Sequence, residues 1–86
     1  MYTLAFLTSA KKEFTTLQFR VQKQIKEKLV ILVENPDLLK NNIKVLKGKH
    51  KGKFRLRVKQ YRVVLHIVDS KLIITIVRVG HRKEVY

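Results

Sequence analysis

The sequence contains no cysteine, which excludes disulfide bonds, thiolate metal ligands and cysteine nucleophiles. It also has only three glycines and one proline among 86 residues, so its composition is not that of a disordered linker. The 45% of hydrophobic residues can supply one apolar core. We therefore expect a single domain over residues 1–86 that is held together by core packing alone.

Long hydrophobic runs are missing as well. The longest, Leu29–Val33, has five residues and is too short to span a bilayer. The opening segment MYTLAFLTSAKKEF has no basic region before its apolar run, unlike a signal peptide. These features predict a soluble, cytoplasmic protein.

Acidic residues are scarce: six of them stand against twenty lysines and arginines, which gives a formal net charge of +14. The imbalance is uneven, because Lys44–Arg62 holds nine basic residues and no acid. A surface that serves only solubility usually mixes both signs. The segregated charge indicates a binding face for nucleic acid or for an acidic protein.

The first half of the chain has the pattern of a strand followed by two helices. Tyr2–Leu7 predicts the strand, and Thr8 and Ser9 are suitable N-cap residues for a first helix. A second apolar stripe with helical spacing predicts a helix from about Arg20 to Glu34, which ends before Pro36.

The second half changes to a period of two, which indicates strands. The predicted strands are Ile43–Leu46, Lys53–Val58, Tyr61–Val68 and Lys71–Val79, with a turn at Asp69-Ser70. The order β-α-α-β-β-β-β predicts an α+β fold, in which a two-helix hairpin packs on one face of a twisted antiparallel sheet. We expect the helices to meet Phe54, Leu56, Val58, Leu65, Ile67, Leu72, Ile74 and Ile76.

The other face of this sheet is predicted to be basic. Lys53, Arg55 and Arg57 alternate along one strand, ~7 Å apart. A two-residue loop at Lys59-Gln60 would set Arg57 opposite Arg62, which destabilises a sheet unless an anion lies between them. Alternating basic residues also protect an edge strand from aggregation, and this plainer interpretation is favoured for three lysines of the region: Lys49, Lys51 and Lys59.

Familiar catalytic groups are not found in the sequence. His50, His66 and His81 are too scattered to predict a metal site, and there is no Ser-His-Asp, Walker or paired-carboxylate pattern. RNA cleavage by the substrate's own 2′-OH needs only cations, a base and an acid. Lysine, arginine, tyrosine and histidine can supply all three.

The chain resembles the RelE/ParE superfamily of toxin–antitoxin toxins, and its RelE branch most of all. The resemblance rests on ENP after the helices, KVLKG, KFRLRVKQYRVVLHIVD and the final VGHRKEVY. It implies a metal- and cofactor-independent mRNA interferase, a ribosome-dependent endoribonuclease that cuts mRNA in the ribosomal A site and inhibits translation. The implied partners are mRNA, the ribosome and a cognate antitoxin.

The resemblance also assigns roles to individual positions. It implies that Lys53 contacts phosphate, that Arg62 stabilises the transition state, and that Arg82 and Tyr86 take part in catalysis. Arg55 stands where the family can carry a proton-accepting lysine. Because a guanidinium is a poor base, we expect another residue, Tyr86 or His81, to orient or deprotonate the 2′-OH. The remaining expected RNA contacts are Lys47, Lys49, Lys51, Arg57 and Lys59.

Two other functions remain open on the sequence. One is a ParE-like toxin that blocks DNA gyrase, and the other is a basic RNA-binding protein without catalysis. Inhibition of supercoiling with mRNA left intact would favour the first. Salt-sensitive RNA binding without cleavage would favour the second.

Overall fold

The computed structural model describes residues 2–46, 52–68 and 71–83. Its elements are β1 (Thr3–Phe6), α1 (Thr8–Thr15), α2 (Phe19–Glu34), a 3-10 helix (Pro36–Leu39), β2 (Ile43–Val45), β3 (Phe54–Val58), β4 (Tyr61–Val68) and β5 (Ile73–His81). The predicted order and the α+β class are confirmed. None of the described helices is long and apolar enough to cross a membrane.

The five strands form one sheet in the order β1-β5-β4-β3-β2. Strands β2 to β5 are an antiparallel meander, as the hairpin pattern predicted. Strand β1 pairs parallel with β5, from Thr3 opposite Ile73 to Phe6 opposite Ile76. The sheet is therefore mixed at one edge, a detail that a period of two in the sequence does not specify.

The first helix begins without a side-chain cap, so the expected cap at Thr8 or Ser9 is wrong. The N-cap is Leu7, in extended conformation. Its N–H donates to the carbonyl of Ile76 at 3.0 Å, and its own carbonyl accepts the N–H of Lys11 at 2.9 Å. Strand pairing thus continues directly into the helix and fixes where it starts.

The core lies between the helices and one face of the sheet. Helix α2 buries the predicted stripe at Val21, Ile25, Leu29 and Leu32. The sheet contributes fully buried side chains from its three central strands: Leu56, Val63, Leu65, Ile74 and Ile76. Packing on this face leaves the opposite face to the basic residues.

One expected core residue is placed differently. Leu72 is 46% exposed and lies just before β5 with a φ of 52°. This left-handed backbone turns the chain into the strand and interrupts the alternation that would have pointed Leu72 inward. The predicted turn at Asp69-Ser70 lies outside the described residues.

Candidate phosphate-binding face

The β3–β4 hairpin has the predicted register. Val58 lies opposite Tyr61, and Arg57 lies opposite Arg62. The loop between them is Lys59-Gln60, and Lys59 adopts a φ of 56°. A lysine in this left-handed conformation costs free energy that a glycine or asparagine at the turn would avoid.

Four basic side chains share the sheet face away from the helices, and we call them the basic face: Lys53, Arg55, Arg57 and Arg62. Lys53 directly precedes β3, and its carbonyl accepts the N–H of Leu46 at 2.9 Å. The ladder with β2 therefore extends to Lys53, and strand alternation places its side chain beside those of Arg55 and Arg57. Arg57 is exposed, and the other three are half-buried.

The basic face has an apolar floor, which sequence reasoning did not anticipate. Val64 is 1% exposed and Leu46 is 7% exposed, and both pack with Val77 in a cluster separate from the main core. Val64 lies directly opposite Arg55. The aliphatic stem of an arginine packs favourably along such an apolar surface.

Lys44 extends the positive charge onto β2, where it lies directly opposite Arg55. It is exposed. The alternation Ile43-Lys44-Val45 was the available signal, since a strand with Ile43 facing the core must turn Lys44 to the basic side. Lys44 is thus a further cation on this side of the sheet.

The opposite neighbour of Arg62 is Gly80 of β5. Because glycine has no side chain, β5 projects nothing beside Arg62 on the basic side. Just beyond β5, the N–H of Arg82 donates to the carbonyl of Gln60 at 2.8 Å. The exposed Arg82 therefore lies at the same end of the sheet as Arg57 and Arg62.

His81 lies on the other side of the sheet. It pairs with Tyr61, whose ring packs against the main core under the helices. The two rings meet edge to face, with centroids 5.5 Å apart. The structure therefore does not bring the imidazole of His81 onto the basic face.

Several candidate residues lie outside the described part of the chain: Lys47, Lys49, Lys51 and Tyr86. Lys59 is described and exposed, at the tip of the hairpin. Their expected roles remain predictions.

A carboxylate on α1 forms a structural contact with β5. Glu13 accepts the N–H of Val79 at 3.0 Å and the guanidinium of Arg78 at 3.0 Å. Strand β1 pairs with β5 only as far as Ile76, so Glu13 occupies the edge of β5 beyond it. Sequence periodicity could not reveal this contact, because it depends on where β1 stops.

The chemistry available on the described surface is cationic. Within residues 2–46, 52–68 and 71–83, no three histidine, aspartate or glutamate side chains are grouped to hold a metal ion. The described residues also enclose no cavity. An open row of cations on an apolar floor suits an extended polyanion better than a small molecule.

Comparisons with known proteins agree with this geometry. The family model of the ParE toxin of type II toxin–antitoxin systems matches residues 1–86. The mRNA interferase toxin RelE of Escherichia coli K12 is 34% identical over 87 residues, which cover 99% of this chain and 90% of the relative.

Solved structures show the same similarity. The isolated E. coli RelE toxin superimposes with a TM-score of 0.77 at 30% identity, over 94% of this chain and 84% of that one. The toxin in the intact E. coli RelBE toxin–antitoxin complex gives a TM-score of 0.75 at 29% identity, over 94% and 96%. Since sequence and fold agree over nearly the whole chain, the protein belongs to the RelE/ParE superfamily of type II toxin–antitoxin toxins, in its RelE-like branch.

Proposed function

We propose that this protein is an mRNA interferase, the toxin of a type II toxin–antitoxin system, and that it cleaves mRNA in the ribosomal A site. The observation that carries the proposal is the basic face, in which Arg57 and Arg62 are held opposite one another in a protein 34% identical to an mRNA interferase toxin. Two like charges in direct register repel one another, and a bound anion relieves that repulsion. A phosphate of the RNA backbone is that anion.

The basic face binds the RNA backbone. Alternate residues of β3, which share the basic face, are ~7 Å apart, and this is close to the spacing of phosphates along an extended strand. Lys53 and Arg55 hold the phosphates next to the cleavage site, and Arg57 holds the one beyond it. The apolar floor beneath Arg55 lowers the local dielectric and so strengthens these contacts.

Cleavage needs no metal and no protein nucleophile. The 2′-OH attacks the adjacent phosphorus, and the bond from phosphorus to the 5′ oxygen breaks. The products are a 2′,3′-cyclic phosphate and a free 5′-OH. One proton leaves the 2′ oxygen to a base, and one is delivered to the 5′ oxygen.

Arg62 stabilises the charge that develops on the phosphorane. A guanidinium presents two parallel donors to phosphate oxygens, which a lysine cannot do. Arg82 lies at the same end of the sheet and assists the leaving 5′ oxygen. Tyr86 is the proposed proton acceptor for the 2′-OH.

The ribosome and an antitoxin complete the proposed system. A net charge of +14 draws the protein to ribosomal RNA, and the ribosome presents mRNA in the strained geometry that in-line attack requires. An acidic antitoxin that covers the basic face would block the side chains that bind these phosphates. We place both encounters in the cytoplasm.

The test uses purified protein and ribosomes programmed with a defined mRNA. We expect cuts in the A-site codon, products that end in a 2′,3′-cyclic phosphate, and full activity in the presence of EDTA. Cleavage should disappear when the ribosomes are left out. Binding of RNA without any cleavage would instead identify a non-catalytic RNA-binding protein.

The matching family model carries the ParE name, which keeps gyrase inhibition as the second candidate. The same preparation should therefore be added to a DNA supercoiling assay. We expect supercoiling to proceed unchanged. Inhibited supercoiling together with intact mRNA would replace the interferase proposal.

A further inference from the structure

A second set of contacts lies at the end of the sheet, where the β3–β4 loop meets the residues that follow β5. The carbonyl of Gln60 accepts the N–H of Arg82 at 2.8 Å, which extends the β4–β5 ladder one step past the pair Tyr61 and His81. The backbone of Arg82 is therefore tied to the hairpin loop.

The side chain of His81 closes this arrangement through both ring nitrogens. Its Nδ1 accepts the backbone N–H of Lys83 at 3.2 Å, and its Nε2 lies 3.4 Å from Oε1 of Gln60. A backbone N–H only donates and a carbonyl oxygen only accepts. The two contacts together fit the tautomer that carries its hydrogen on Nε2.

The ring is also fixed from the side. Tyr61 contacts it edge to face, with an interplanar angle of 79°, and Tyr61 itself packs against the main core. His81 thus contacts Lys83, which follows Arg82 in the chain, and Gln60, whose carbonyl accepts the Arg82 N–H. Its ring lies on the helix side of the sheet, away from Arg62.

We propose that Gln60, Tyr61 and His81 form a clamp that positions Arg82, and that His81 does not exchange a proton with the RNA. This inference rests on the proposed interferase function for its kinetic consequence only. His81 is a positioning residue in this assignment. Its nitrogens contact the Lys83 backbone and the Gln60 side chain, and these contacts hold the chain on which Arg82 lies.

The kinetic test compares two substitutions of His81. His81→Ala removes both contacts, and we expect kcat/KM for A-site cleavage to fall about 10- to 100-fold, mostly in kcat, because Arg82 is misplaced. His81→Asn keeps an acceptor for the Lys83 N–H, so it should recover most of that loss with the pH profile unchanged in shape. A general base at His81 would make both variants fall alike, by about 10²- to 10⁴-fold, and would remove the acidic limb of the profile.

A double-mutant comparison asks whether His81 acts through Arg82. In an Arg82→Ala background, adding His81→Ala should cost little further activity, since the residue to be positioned is already gone. A full and independent loss in that background would overturn the clamp. Arg20→Ala, an exposed arginine on α2, is the control for loss of charge.

A measurement on the free protein separates this inference from the proposed function. Imidazole nitrogen shifts above neutral pH should show His81 in the Nε2–H tautomer, and the Lys83 amide should exchange faster in His81→Ala than in the wild type. An Nδ1–H tautomer or an unchanged Lys83 amide would refute the clamp, even if the wild type cuts no mRNA. An inactive wild type with the predicted tautomer and exchange would refute only the interferase.

Discussion

At the scale of single residues, the central features are the arginines on two neighbouring strands. Arg62 and Arg55 are half-buried, their Nε atoms are shielded from solvent, and Val64 of β4 lies directly opposite Arg55. Such partial burial reduces the conformational freedom of a long side chain, which lowers the entropic cost of binding any anion. The contribution of each guanidinium should therefore exceed that of an exposed cation.

Arg55 provides the clearest residue test, because the family resemblance implies a proton-accepting lysine at this position. We expect Arg55→Ala to lower kcat/KM for mRNA cleavage about 100-fold, through loss of a charge-stabilising donor. Arg55→Lys should lose less, since it keeps the charge but not the paired donors. The measurement is single-turnover cleavage on programmed ribosomes, and a lysine variant faster than the wild type would show that this position works better as a base.

Sequence reasoning reached part of this site. The Arg57–Arg62 register followed from alternation and a two-residue loop, and it is confirmed. The side of the sheet on which His81 lies could not be predicted from the alternation. The register shift between Val64 and Leu65 reverses which residues in the second half of β5 face the helices. A bulge of this kind leaves no mark on an apolar strand.

At the scale of elements, Glu13 joins α1 to the far end of β5. Its carboxylate accepts a backbone N–H that β1 is too short to reach, as well as the Arg78 guanidinium. The sequence predicted which segments are helices and strands. It could not predict this contact, because the contact depends on where two distant elements end. The contact should hold β5 in place at Arg78 and Val79, directly before Gly80 and His81.

The Glu13 contact predicts a measurable loss of stability. Glu13→Ala should lower the free energy of unfolding by about 1–3 kcal/mol, because it leaves the Val79 N–H without its partner. The coupling between Glu13 and Arg78 should be only about 0.2–1 kcal/mol, since the two side chains are 31% and 43% exposed.

Urea unfolding of both single variants and of the double variant measures these quantities. Glu27→Ala, an exposed glutamate on α2, is the matched control and should change little. If Glu13→Ala lowered the free energy of unfolding no more than Glu27→Ala, the Glu13 contact would have no structural role.

The core strand β3 predicts a larger effect. Leu56 is fully buried between the helices and the basic face, so Leu56→Ala should cost about 2–5 kcal/mol in unfolding free energy. Leu38→Ala removes the same atoms from a side chain that is 68% exposed and should stay within about 0.5 kcal/mol. Equal losses in urea unfolding would contradict the placement of the core.

At the scale of the whole molecule, the charge is arranged by the fold. The helices and the core occupy one face of the sheet, and the excess of cations lies on strands that turn alternate residues outward. The number of charges can be counted in the sequence. Which face of the sheet the charges occupy follows only from the strand register. The parallel pairing of β1 with β5 could not be predicted from the sequence, because the paired residues are 70 positions apart.

This arrangement predicts how RNA binding depends on salt. Each phosphate neutralised on a single strand contributes about −0.7 to the slope of log K against log salt. Arg57→Ala should therefore make the slope shallower by about 0.7, whereas Arg20→Ala on α2 should change it less. Fluorescence titrations of a single-stranded RNA over a range of KCl would show this, and equal changes in both variants would mean that the charge acts only in bulk.

The most direct measurement of the central claim is the single-turnover rate of A-site cleavage by Arg62→Ala, compared with Arg20→Ala and the wild type. The account predicts a fall of about 100- to 1,000-fold for Arg62→Ala, because its guanidinium acts on the transition state, and a rate close to that of the wild type for Arg20→Ala. Both variants should bind programmed ribosomes. Full cleavage by a folded Arg62→Ala protein would contradict the assignment of the basic face as the catalytic phosphate site.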